Sequence, residues 1–410
     1  MLGDFKNNKV VIASAYYPPN ISGTSTVLRN LANQLAPNAV SIVTENQPLP
    51  PGNPGSPVPE GIRVYKTGIP RWLLEKIPYI WRWERYFRFA LIPAFRYLTL
   101  RAIKETGADC ILAVYPNWPC LIGAYLAHRK TGLPFYTYHM DIPVRRSAIA
   151  PFEGWFIDNY ESKILSASQN RLIISEGYAQ DFKLRFGLGT TFLPHTLELE
   201  KRWNEIERLP PPSGKKPYRI VHTGIVVGQK EGLLRIASAI HENPGLEAKL
   251  ILSTPTPAEE LLQAGFDLPC VEILSLPQEE VVALQASAHI LVTVLPFYGK
   301  TKEGALTSYP TKLTEYLSTG RPILIHAPEW SFLVRHAKFE GYAVTVDRPD
   351  TEALAAAIRT ILQGGDGIQS IRENASQLAT KYDIRKVTMQ FLTALGLPTT
   401  ILKNPPSPET

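Results

Sequence analysis

Cysteine is scarce, with three residues in a chain of 410. Cys110, Cys120 and Cys270 share no metal-ligand spacing and cannot all pair, which argues against a zinc site and a disulfide scaffold and fits a reducing cytoplasm. No run of about eighteen apolar residues occurs, so no segment is expected to span a bilayer. The opening Met1-Leu-Gly-Asp-Phe-Lys-Asn-Asn8 leads straight into a strand-like stretch and lacks a signal peptide's layout. There is no Asp-x-Asp to bring a metal, no repeat array, and no known nucleic-acid module. Nor does the composition suggest disorder.

What is present is enough chain for two ordinary domains, each with its own core. A net charge of +6 permits anionic partners, of which nucleotide sugars and acidic lipid are kept and nucleic acid is discounted. Short apolar runs alternate with helical spacing throughout. Val10–Ala15 reads as a buried strand, Val27, Leu28, Leu31 and Leu35 recur as on a helix that Ser22 caps, and Val40–Thr44 is the next strand. Such βαβ units imply parallel sheets. Tyr218–Gly224 opens a second half with the same layout of strand, glycine-containing loop and helix. The expected fold is therefore α/β: two doubly wound, Rossmann-like domains facing across a cleft. Residues 1–200 form the first and 218–380 the second. The Pro-rich stretch 201–217 is read as a linker, and 381–410 as a C-terminal helix and tail.

The most informative stretch is Tyr309-Pro-Thr-Lys-Leu-Thr-Glu-Tyr-Leu-Ser-Thr-Gly-Arg-Pro322. It reads as a short helix with Pro310 at its first position, ended by Gly320. Leu313, Tyr316 and Leu317 fall on one arc, with Lys312, Glu315 and Thr319 on the next. A helix start with bare N–H groups and a lysine suits an anion, and a carboxylate one turn deeper suits a sugar's paired hydroxyls. A nucleoside diphosphate satisfies both. The plainer reading is a surface helix whose Lys312 and Glu315 pair with each other for about 0.2–0.5 kcal/mol. Near the second half's start, Gly224, Gly228 and Lys230 offer a further phosphate loop, against the alternative of an exposed lysine with no role.

Pro310–Pro322 resembles the donor-binding segment of GT-B-fold glycosyltransferases of the glycosyl-transferases-group-1 kind. The resemblance implies that Glu315 holds the nucleotide's ribose and that Ser308, Thr311 and Lys312 meet the diphosphate. It makes Lys230-Glu-Gly232 the counterpart of the family's phosphate-contacting Lys-Gly, without the usual arginine. Pro18-Pro-Asn-Ile-Ser-Gly23, followed by Thr24, is similar to the family's loop facing the donor's distal phosphate and sugar; it is not G-x-G-x-x-G, so a dinucleotide has no support. His139 and Asp141, just past a strand, stand where the family has a His-Asp pair near the donor sugar, and are the candidate catalytic residues. One departure is Thr307, where many members carry a second glutamate. In relatives the C-terminal helix crosses back onto the first half.

Residues 71–106 interleave arginines with aromatics: Trp72, Trp81 and Trp83 stand beside Arg82, Arg85 and Arg88. An interfacial helix uses this composition against anionic lipid, at about 1 kcal/mol per basic residue. The alternative is that the aromatics pack on the sheet while the arginines face water. Membrane-associated members of the family often carry such a patch. The chain is thus expected in the cytoplasm, peripheral on the inner face of the membrane.

Taken together these features point to sugar transfer from a nucleotide-diphosphate sugar to an acceptor hydroxyl, on a lipid-linked or cell-surface glycan intermediate. The leaving diphosphate would be neutralised by Lys230, Lys312 and helix N-termini, with neither metal nor cofactor. Retention of configuration is implied by the resemblance. Two alternatives stay open: a nucleotide-sugar enzyme such as an epimerase, and a non-catalytic partner subunit, which Thr307 motivates.

Overall fold

The computed structural model describes residues 6–20, 22–46, 55–68, 84–141, 151–212, 214–226, 228–298 and 302–403. The chain divides into two compact units. Unit one is Met1–Thr196 with Ile384–Thr410, and unit two is Leu197–Asp383.

Unit one runs β1 (Val10–Ala13), α1 (Gly23–Gln34), β2 (Val40–Glu45), β3 (Arg63–Thr67), α2 (Glu84–Phe89), α3 (Ile92–Thr106), β4 (Cys110–Tyr115), α4 (Trp118–Thr131), β5 (Phe135–His139), α5 (Pro151–Ala167), β6 (Arg171–Ile173), α6 (Gly177–Phe186) and β7 (Thr191–Phe192). Its strands lie in the order β3-β2-β1-β4-β5-β6-β7, all parallel. Every residue of β1, β2, β4 and β5 is buried, because helices cover both faces. Ser22 does cap α1, its hydroxyl accepting from Ser25 N at 3.1 Å. The C-terminal helix Ile384–Leu395 belongs to this core through Val387, Phe391, Leu392 and Leu395.

Unit two runs α7 (Leu199–Glu207), β8 (Tyr218–Thr223), α8 (Lys230–His241), β9 (Ala248–Ser253), α9 (Ala258–Leu261), β10 (Val271–Leu274), α10 (Gln278–Ala286), β11 (Ile290–Val294), α11 (Lys302–Thr307), α12 (Thr311–Leu317), β12 (Ile323–His326), α13 (Phe332–Glu340), β13 (Val344–Val346), α14 (Thr351–Gln363) and α15 (Asp366–Ala379). Its parallel sheet has the order β10-β9-β8-β11-β12-β13. In both sheets the order reverses beside the first strand, between β1 and β4 and between β8 and β11. Ligands of doubly wound folds bind outside the carboxyl ends of the strands at such points.

Three expectations need correction. The stretch 201–217 opens not as linker but within α7, part of unit two; Leu199 and Arg202 are buried on its inner face, and a buried arginine disguises the helical pattern. The stretch 297–308, whose glycines and lysines read as a loop in the sequence, contains α11. The basic, aromatic stretch divides in two. Phe89, Ile92, Phe95, Thr99 and Ala102 are buried. Tyr86, Phe87 and Tyr97 are exposed. Arg88 lies 3.8 Å from Glu45. Trp72, Trp81, Arg82 and Trp83 lie outside the described residues, as does the side chain of Arg85.

The tightest helix contact in unit one is α4 on α3. A Cβ placed on Gly123 would come 2.5 Å from Phe95 Cβ and 3.0 Å from Arg96 N. Alanine gains about 1 kcal/mol of helix propensity over glycine, whereas overpacking costs about 1–3 kcal/mol and backbone cannot swing aside. Gly123→Ala is therefore expected to lower the denaturant midpoint; an equal or higher midpoint in urea unfolding overturns this account.

Candidate functional site

β8 ends in His222-Thr223, and Gly224 follows with φ of 101°, a conformation glycine takes without strain. A Cβ there would lie 3.6 Å from both Cε and Nζ of Lys312. Lysine and strand end therefore meet at the sheet's reversal point. Lys312 comes from α12, where Leu313, Tyr316 and Leu317 are fully buried and so turn Lys312 and Glu315 to the neighbouring face. Tyr316 pins the helix in place: its hydroxyl accepts from Thr223 N at 2.9 Å. Pro310 is the N-cap of α12, one residue before the position expected for it.

The Lys312 ammonium lies 3.0 Å from His222 Nε2 and donates to Gln229 Oε1 at 3.2 Å. His222 is fully buried and its Nδ1 faces the carbonyl of Val292 at 3.1 Å. A carbonyl only accepts, so the proton sits on Nδ1 and Nε2 is the acceptor for the ammonium. Desolvation, then the Lys312 charge, hold the His222 pKa well below its usual value, against its backbone hydrogen bonds. Lys312 itself is half-buried with its ammonium enclosed; desolvation draws its pKa down to about 7, opposed by Glu315. Glu315, one turn on, accepts from Gln285 Nε2 at 3.0 Å.

Of the other expected donor groups, Lys230, Ser308 and Thr311 belong to unit two. Lys230, at the start of α8, pairs with Glu260 at 2.7 Å rather than joining Lys312; the exposed carboxylates of α9 supply a nearer counter-charge. Ser308 is half-buried between α11 and α12, its N–H donating to Gly304 O at 3.0 Å. Thr311 is exposed at the start of α12. Gly23, Thr24, His139 and Asp141 all belong to unit one. Gly23 and Thr24 open α1 after the β1 loop.

His139 ends β5, 1% exposed, with Tyr115 stacked at 5.8 Å and Phe182 edge-on at 4.8 Å. Desolvation, with a smaller push from Arg171, lowers its pKa to about 3. Neither ring nitrogen has a hydrogen-bond partner among the described residues. A ring held neutral this strongly is a poor general base and a ready hydrogen-bonding group. Asp141, two residues on, is exposed. Sequence reasoning missed Thr223, Gln229, Gln285 and Arg202. Only Gln285 carried a signal, as a polar residue inside the apolar run Val281–Ala288.

Residues 22–189 match the family model described as "Glycosyl transferase 4-like domain". Sucrose-phosphate synthase from Thermosynechococcus elongatus is similar at a TM-score of 0.65 and 15% identity, over 94% of this chain and 97% of that one. The chain has the GT-B fold, and its residues 22–189 resemble a glycosyl transferase 4-like domain. Anabaena HepE, solved with UDP, has a TM-score of 0.63 at 11% identity, over 94% of this chain and 99% of its own. A trehalose-6-phosphate synthase, from a study of glycosyl transfer with retention, has a TM-score of 0.60 at 12% identity, over 94% and 98% of the two chains. No curated protein matches this chain in sequence. Identities this low carry the fold and leave the substrates open.

The charge on Lys312 has a cost that depends on pH. An unfolded lysine titrates near 10.4, so between about pH 7 and pH 10.4 the unfolded chain holds more protons than the folded one. Stability therefore rises with pH across that window, and the burial cost is fully present below pH 7. Lys312→Met is expected to raise the unfolding temperature, by roughly 2–4 °C for each kcal/mol relieved, and by more at pH 6.5 than at pH 9.5. An increment of equal size at both pH values counts against a buried ammonium.

Proposed function

We propose that this protein is a glycosyltransferase that moves a hexose from a nucleoside-diphosphate donor to an acceptor hydroxyl, on a lipid-linked or cell-surface glycan intermediate of polysaccharide biosynthesis. One observation carries the reading: an ammonium with no carboxylate hydrogen-bonded to it among the described residues is lodged against Gly224 at the reversal point, with Glu315 one turn along the same helix. As the glycosidic bond breaks, negative charge gathers on the leaving diphosphate. A preorganised ammonium opposes it most strongly where water is excluded. The charge on the phosphate would in turn restore the protonation that burial disfavours. Glu315 Oε1 has no hydrogen-bonding protein partner among the described residues, which suits a carboxylate that takes a ribose hydroxyl. The HepE protein was solved with UDP and with UDP-glucose, which favours a nucleotide sugar here.

On this proposal the two cations expected to neutralise the diphosphate reduce to one, since Lys230 is engaged by Glu260. Lys312 does this without a metal. Retention of configuration is the stereochemistry we favour. The trehalose-6-phosphate synthase comes from a study of transfer with retention, and a His139 near pKa 3 lends no support to an inverting base.

Nucleotide binding is read by thermal shift against UDP, GDP, ADP and TDP, since a ligand that binds only the folded state raises the melting temperature. At least one is expected to raise it, and Glu315→Ala and Lys312→Ala are each expected to abolish the shift. In turnover, Lys312→Ala is expected to lose roughly a hundredfold or more, ~3 kcal/mol of barrier. A full shift in either variant removes that residue from the site.

Contact with the cytoplasmic face of an anionic membrane is also part of the proposal. Among the described residues no helix is long and apolar enough to cross a membrane. Tyr86 stacks on Phe152 at 3.8 Å, and Trp155, in the same helix α5, is 59% exposed, so aromatic surface remains where the stretch 71–106 meets α5. Sedimentation with phosphatidylglycerol vesicles is expected to pellet the protein, less so at high salt. Pelleting should weaken in a Trp81→Ala, Trp83→Ala variant. No pelleting with anionic vesicles ends the membrane reading.

A further inference from the structure

Glu315 is held by a chain of hydrogen bonds that starts on α7, the helix that stands where a linker was expected. Arg202, 8% exposed, donates from Nη2 to Gln285 Oε1, and Gln285 is fully buried. Gln285 Nε2 in turn donates to Glu315 Oε2 and to Thr223 Oγ1, each at 3.0 Å. Arg202 Nε donates to Ser318 Oγ at 2.6 Å, and that hydroxyl donates to the Glu315 carbonyl at 2.6 Å. Trp203 Nε1 donates to Ser318 O at 3.1 Å. Two consecutive side chains of α7 thus hold the last turn of α12.

We infer that Arg202 is a positioning residue for the nucleotide's ribose, acting through Gln285 to fix the direction of the Glu315 carboxylate. The inference rests on the proposed role of Glu315. The chemistry of the groups leaves little choice. A guanidinium has only donors, so it selects the carbonyl end of the Gln285 amide. The NH2 end must then face Thr223 and Glu315, and it supplies one hydrogen to each. Turned the other way, the amide would set its oxygen against a carboxylate. An arginine in direct contact with Glu315 would take both carboxylate oxygens in a forked pair. The interposed glutamine ties down Oε2 and leaves Oε1 available. Packing alone does not call for this arrangement, because apolar side chains of similar volume replace buried ionic groups without loss of stability.

The test compares the affinities of UDP and 2′-deoxy-UDP, and of GDP and 2′-deoxy-GDP, by calorimetry. The unmodified protein is expected to favour the ribonucleotide by about tenfold or more. Arg202→Met with Gln285→Met replaces the network by apolar groups and keeps the fold where the single Arg202→Met, which strands the buried glutamine, fails. In the double variant the preference should vanish through loss of ribonucleotide affinity, while 2′-deoxynucleotide affinity stays the same. Gln285→Glu, which sets a carboxylate against Glu315, should also lose it. A purely structural role predicts lower stability or equal weakening of both nucleotides, and that result overturns the inference. So does an unchanged preference in the double variant. If the unmodified protein shows no preference, or binds neither ribonucleotide, the ribose reading of Glu315 fails and this inference falls with it.

Discussion

A lysine ammonium among a neutral imidazole, an amide oxygen and a glycine, with no carboxylate hydrogen-bonded to it among the described residues, is the constraint around which unit two is arranged. Burying a charge without full compensation is unfavourable. The fold tolerates it because everything around the ammonium is fixed. His222 sits in the central strand with its tautomer set by Val292, Gly224 leaves room where a side chain would crowd, and Tyr316 ties α12 to the end of β8. Such a site is unfavourable when empty and favourable to an anion, which is the electrostatic preorganisation a departing diphosphate needs.

The second charged group on α12 is treated differently. Glu315 is tied by a neutral amide that is itself aimed by a buried guanidinium. Arg202 also places a cation at the carboxyl end of α12, where the helix dipole favours one. Its own pKa is lowered by desolvation and raised by Glu315 and Glu205. The carbonyl-rich end of α12, the last turn of α10 and the end of β8 are thereby joined by polar bonds inside an otherwise apolar cluster.

Unit one offers a contrast at the same kind of position. His139 also ends a central strand, yet its ring is enclosed by aromatic neighbours and its nitrogens have no partner among the described residues. Burial makes it a neutral group with hydrogen-bonding capacity, not a base. The strand end alone does not decide a histidine's chemistry; what packs on it does.

The parallel architecture was legible in the chain because strands covered on both faces must be near-continuous apolar runs, as Val10–Ala13 and Ile111–Val114 are. Lys312 and Glu315 were legible as neighbours because helical spacing is a local property. Arg202, Gln285 and Glu315 were not, since their bonds join residues 83 and 30 positions apart, and no local period encodes such a meeting. For the same reason no local pattern announced the ion pair between Lys230 and Glu260, 30 positions apart. Sequence by itself determined the elements and the face each one presents. Which charges meet, which are stripped of water and which are already paired was decided only by tertiary packing, because burial and long-range contact set the electrostatics of every group in the site.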